Sequence, residues 1–181
     1  HRIRISISSS LWPLAWAPPL PARITIDPTC SSLILPVRVH PEKGEKSVSF
    51  EAPEQAPGIA ETQLRKEAHS WRLERDMETD CSVLHVVNDE GTSRLEDIDL
   101  TISKFASEKY SSRGDDFHSL KGEVVHERSW SRGDWKTSIR ASTFMTCDDT
   151  YFYIEADLDA WHKGTRLFCR SWNERVPRQL V

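Results

Sequence analysis

The sequence predicts an all-β protein: an antiparallel β-sandwich of the jelly-roll, galactose-binding-like kind, with long irregular loops. Three observations predict it. Residues 121–181 divide into four strand-length runs, KGEVVHERSW, WKTSIRASTFMT, YFYIEADLDAW and RLFCRSWNERVPRQLV. Turn chemistry separates them at Arg132-Gly133-Asp134, Cys147-Asp148-Asp149 and Lys163-Gly164, because Gly reaches positive φ cheaply and Asp bonds its own backbone. Within the third run Phe152, Ile154, Ala156, Leu158 and Ala160 alternate with Tyr153, Glu155, Asp157 and Asp159. A period of two marks a strand with one face on apolar neighbours and one in water.

The earlier elements follow in order. Ile3, Ile5 and Ile7 alternate with Arg4 and Ser6, so residues 1–9 read as a first strand. The chain opens in mid-strand without Met, which is the expectation for a fragment of a larger protein. Residues 11–21 are a Pro- and Trp-rich crossover. Residues 22–26 and 32–36 read as short strands around Asp27-Pro28. Residues 39–68 carry Pro41, Gly44, Pro53, Pro57 and Gly58 and read as one long polar loop, since such a composition buries little apolar surface. Residues 70–78 and 81–88 form a hairpin around Thr79-Asp80, with Trp71, Leu73 and Met77 on one face. Asp89-Glu90-Gly91 turns the chain out. Leu100 and Ile102 fit a strand, whereas residues 105–120 read as irregular because of Ser111-Ser112 and Gly114-Asp115-Asp116. Together these make a single domain over residues 1–181, a length that supports one core.

Composition narrows the function. Charged residues make up 29% of the chain, yet the net charge is only −4, and a pI near 6.0 argues against nucleic acid as a partner. No apolar run reaches the length of a membrane span. Cys30, Cys81, Cys147 and Cys169 form no CxxC pair; free thiols in a reducing cytoplasm are the expectation. A Cys147–Cys169 bridge across strands would arise only in a secreted chain.

Catalytic chemistry is not visible. A serine hydrolase needs its nucleophile on a strained elbow, G-x-S-x-G, and the chain has none. Its seven histidines lack metal-ligand spacing. His126-Glu127 lacks the second His of a zinc helix, and His85, in an otherwise apolar strand, reads as a satisfied core His and not a ligand. Glu155, Asp157 and Asp159 read as a solvated strand face, since a strand spaces them nearly 7 Å apart. We therefore expect no catalytic, cofactor or metal residues here. The side chains that remain are aromatic. Trp12 and Trp16 flank Pro13, Trp130 and Trp135 flank a turn, and Trp172 lies in the tail. Such residues serve as ordinary packing, as a domain interface or as a ligand platform.

Motifs at both ends carry a family resemblance. The segments GDWKT at residues 133–137, TFMTCD at 143–148 and FCRSWNERVPRQLV at 168–181 resemble the C-terminus of CocE/NonD-type hydrolases, the group of X-prolyl dipeptidyl-peptidases and cocaine-esterase-like enzymes. HRIRISISSSLWPLAW at residues 1–16 and SLILPVR at 32–38 are similar to the opening of that family's C-terminal domain. Leu11 stands where an aromatic is usual and Ala17 where Pro is common, departures that bear on the local turn. The resemblance implies a non-catalytic accessory domain on an upstream α/β-hydrolase domain that holds the Ser, Asp and His. It would help shape the substrate cleft, with homo-oligomerisation a further expectation. The competing reading is a stand-alone β-sandwich that binds carbohydrate or protein through its aromatics.

Overall fold

In a computed structural model, described here for residues 3–20, 22–36 and 49–179, the chain is all-β and antiparallel, as predicted. It falls into two compact units, residues 23–58 and the remainder. In the smaller unit no residue among those described forms a strand, although residues 22–26 and 32–36 alternate suitably. It contains the Asp27-Pro28-Thr29-Cys30 turn, where Asp27 accepts from the Thr29 amide (2.8 Å) and the Cys30 thiol (3.0 Å).

The larger unit is an open eight-stranded sheet. Its strands are β1 (Glu61–Arg65), β2 (Ala68–Asp76), β3 (Cys81–Leu95), β4 (Leu100–Arg113), β5 (Asp116–Arg132), β6 (Trp135–Cys147), β7 (Tyr151–His162) and β8 (Thr165–Pro177). From β2 to β8 each strand pairs with the next in the sequence. Connections as short as Gly114-Asp115, Gly133-Asp134 and Lys163-Gly164 permit only adjacent antiparallel pairing, so the order is a meander. The crossing connections of a jelly roll do not occur among the described strands. Lys163 (φ 48°) and Gly164 (φ 80°) both take the left-handed conformation of a two-residue hairpin.

β1 and β2 share one partner. β2 pairs with the first half of β3, from Ala68↔Asp89 to Asp76↔Cys81, and β1 with its second half, from Arg65↔Thr92 to Glu61↔Leu95. The break at Lys66-Glu67 lies opposite a bulge at residues 89–91. Gly91 sits there at φ 75°. A Cβ on it would run into the Arg65 carbonyl oxygen and come within 2.9 Å of the Lys66 carbonyl carbon, so a residue without a side chain is required.

Several sequence expectations are corrected. Residues 3–9 form no strand; alternation alone does not make one without a backbone partner. The span 39–68 is not wholly loop, because Glu61–Arg65 is β1 and Ala68 opens β2; residues 37–48 lie outside the described residues. Asp89-Glu90-Gly91 is a bulge inside β3 and not an exit. Residues 105–120 are not irregular. β4 runs on to Arg113, turns through Gly114-Asp115, and returns as β5. Met77 lies in the β2–β3 turn, outside the strand face of Trp71 and Leu73.

Register gives the sheet two unlike faces. One apolar row runs Leu73, Leu84, Tyr110, Gly122, Met145, Ile154 across β2 to β7, beside Trp71, Val86, Glu108, Val124, Thr143, Ala156 and Trp172. The opposite face carries Asp89, Phe105, Glu127, Arg140 and Asp159 in one row. Among the described residues, the buried apolar side chains are Ala17, Leu120 and Cys147, and no large side chain is fully buried.

Candidate functional site

The apolar face is covered at one end by a short turn of chain. Pro13 and Pro18-Pro19 keep residues 11–20 out of strand pairing, and the segment closes on itself through the Ala15 amide to Leu11 carbonyl bond (3.0 Å). That turn brings Trp12 and Trp16 edge-to-face at 4.8 Å. Each ring then meets the sheet edge-on, Trp12 at Tyr110 (5.8 Å) and Trp16 at Phe152 (5.7 Å), the geometry the ring quadrupole favours. The Trp16 indole donates to the Cys147 sulfur at 3.0 Å, which satisfies its one polar group. Tyr110 donates to Glu108 at 2.7 Å; partial burial and this carboxylate push its pKa up to about 12.

The C-terminal tail closes the same site. Arg178 donates to the Ala17 carbonyl (2.5 Å) and the Asp148 carbonyl (2.7 Å), while its guanidinium lies 4.8 Å from the Phe152 ring centre. Its amide donates to the Thr150 carbonyl (2.8 Å). The segment around WPLAW and the tail around VPR, far apart in sequence, thus meet across β6 and β7. Asp148 in the intervening turn accepts from the Tyr153 hydroxyl (2.6 Å) and from the Thr150 and Tyr151 amides (2.7 Å each), which lower its pKa to about 2.

The five tryptophans named from sequence fall on one side. Trp12 and Trp16 pack on the apolar face. Trp130, paired with Ile102 and Thr137, shares it, as does Trp135 opposite Arg132. Trp172 pairs with Ala156 on that face, with the Arg170 guanidinium 4.8 Å above its ring. Trp71, which the sequence reading did not single out as a site residue, lies on the same face at the β2 edge and is 74% exposed.

The residues weighed for chemistry are distributed otherwise. His85 contacts the Ser107 hydroxyl at 3.1 Å. His126 and Glu127, adjacent in β5, point to opposite faces. Asp157 accepts from Ser171 (2.6 Å) and Asp159 pairs with Arg166 (3.2 Å). Cys147 is on the apolar face and Cys169, opposite Asp159, is on the other, so the two thiols cannot meet; all four cysteines are free. Among the described residues no group of three or more His, Cys, Asp or Glu side chains could hold a metal ion, and no helix is long and apolar enough to cross a membrane.

The opposite, charged face holds a hollow of about 470 Å³. Arg65 reaches over from β1 and grips Asp89 with two bonds (2.5 and 2.8 Å), holding that carboxyl below the usual range. Arg140 pairs with Glu127 at 3.3 Å. Trp161 closes the hollow on β7. The sequence reading missed this residue, although the alternation Tyr153, Glu155, Asp157, Asp159 leads to position 161 when extended by one step.

The chain matches no protein-family model, no curated protein and no solved structure. The fold and site define the class alone: an open antiparallel β-meander, apolar and partly capped on one face, charged on the other.

Proposed function

We propose that this chain is an accessory β-domain of a CocE/NonD-type α/β serine hydrolase, docked through its apolar face on the catalytic domain and flanking the substrate cleft. The carrying observation is that face. It spans β2 to β8 and is covered over the Tyr110–Phe152 end by residues 11–17, while Trp71, Leu73, Phe168 and Val176 on it stay 74, 71, 47 and 43% exposed. Exposed apolar side chains at both edges of this face favour burial against a partner. Trp16 and Arg178, which belong to two of the segments that carry the family resemblance, meet this face at the clasp with Ala17 and Phe152.

In this reading the Ser, Asp and His belong to the hydrolase domain, which forms and hydrolyses an acyl-enzyme on an ester or peptide substrate. This chain supplies apolar packing and no reacting group. The test compares p-nitrophenyl ester hydrolysis by this chain with that by a version extended upstream through the preceding reading frame. The reading expects turnover by the extended protein alone, abolished by a serine-directed inhibitor. Saturable, inhibitor-sensitive turnover by the short chain, or an inert extended protein, would overturn it.

A further inference from the structure

We propose that the hollow on the charged face is a binding site for a neutral oligosaccharide. The site does not depend on the hydrolase reading, because it lies on the face opposite the proposed interface.

Two cross-strand rows build it. The first runs Ser103, Ser129, Ser138, Trp161 over β4 to β7, and the second Phe105, Glu127, Arg140 over β4 to β6. Adjacent strands lie about 4.8 Å apart, so Ser103 and Trp161 are separated by roughly 14 Å. That span accommodates a short run of sugar rings laid across the strands. The volume of about 470 Å³ lies within the range of ligand clefts, roughly 300–1,000 Å³.

The chemistry of the lining selects among ligands. The cations whose side chains share its face are already matched: Arg65 is held by Asp89 and Arg140 by Glu127. An anion would have to displace a carboxylate, so phosphate, sulfate and acidic glycans are disfavoured. Arg128 also borders the hollow, but alternation directs its side chain to the other face. A sugar hydroxyl both donates and accepts, and so suits a floor where guanidinium and carboxylate stand side by side. Neither the Ser129 nor the Ser138 hydroxyl has a side-chain or backbone partner among the described residues, whereas Ser103 bonds the Gly91 carbonyl at 3.0 Å. Among the described residues these two hydroxyls are unengaged, and they line the hollow beside an indole. An apolar ring face with polar groups at its border is the surface a pyranose presents in mirror image, C–H groups on its face and hydroxyls on its rim.

The experiment titrates the full chain with cellohexaose, xylohexaose and mannohexaose by calorimetry, and with a heparin hexasaccharide as the anionic arm. The indole N–H resonances are followed by NMR. We expect at least one neutral hexasaccharide to bind at up to millimolar concentration and to shift the Trp161 indole signal. Trp161→Ala should weaken that binding by about tenfold or more. The double variant Ser129→Ala/Ser138→Ala, which leaves the indole and its packing in place, should weaken it several-fold at an unchanged Tm. Trp71→Ala, on the other face, should leave it intact. Binding of the heparin probe alone, absence of binding by all neutral probes, or neutral binding that survives both site variants would overturn the proposal.

Discussion

At the scale of single residues, Gly91 and Asp148 are the positions where geometry dictates chemistry. Gly91 combines a positive φ with backbone closer than a Cβ tolerates on its outer side. Gly91→Ala should lower stability by about 2–4 kcal/mol, the sum of left-handed strain and a displaced Arg65–Lys66 backbone. Urea titration checks this: the midpoint should fall, and an unchanged midpoint would show that the bulge relaxes freely. Asp148 makes a pH prediction with a definite sign. Its carboxyl, held at about 2 by the Tyr153 hydroxyl and two amides, lies below the unfolded value of about 3.9. Its contribution is therefore full above about pH 4 and lost as pH falls towards 2. Thermal melts from pH 5 to pH 2 should show a steeper decline for the parent chain than for Asp148→Asn, which keeps an acceptor but cannot be protonated in that range. Parallel declines would remove Asp148 as a source of acid sensitivity.

At the scale of elements, the two sheet edges differ. β8 carries Arg166, Arg170, Glu174 and Arg175 and ends in Pro177, features that discourage a further strand. β2 presents Trp71 and Leu73, both more than two-thirds exposed. Trp71→Lys should therefore reduce self-association of the isolated chain at high concentration, read by light scattering, while the Tm stays within a few degrees. Unchanged scattering would move the adhesive surface elsewhere. The elements also show what the sequence could reveal. The hairpins from β5 to β8 were legible because Gly133, Asp148 and Lys163-Gly164 punctuate clean alternation. β4 was legible only at Leu100 and Ile102, because Ser103, Ser107 and Ser111 on its charged face have the composition of a loop while its other face continues with Ala106 and Tyr110. The strand expected at residues 1–9 failed over the described residues 3–9 for the converse reason: its pattern is good, but pairing is a property of neighbours.

At the scale of the molecule, a meander distributes chemistry by parity. The five tryptophans named from the sequence were individually legible, yet their common face was not, because it depends on the register of the six strand pairs from β2 to β8. One even–odd alternation, carried across β2 to β8, puts Trp71, Trp130 and Trp172 on one side and Trp161 on the other. The proposed interface and the proposed sugar site are thus the two surfaces of a single layer, and each can be altered without touching the other.

The clasp between Ala17 and Arg178 joins residues 161 apart, whereas every pairing from β2 to β8 joins sequence neighbours. Hairpins of low contact order close early, and a contact of such long separation closes only once they exist. The clasp should then behave as a late latch, absent from the folding transition state. Replacing Arg178 by Met should accelerate unfolding and leave the refolding rate nearly unchanged, a division that stopped-flow chevron arms resolve. Equal changes in both arms would place the two chain ends together before the sheet is complete. A latch of this kind sets the lifetime of the folded chain more than the speed of its making.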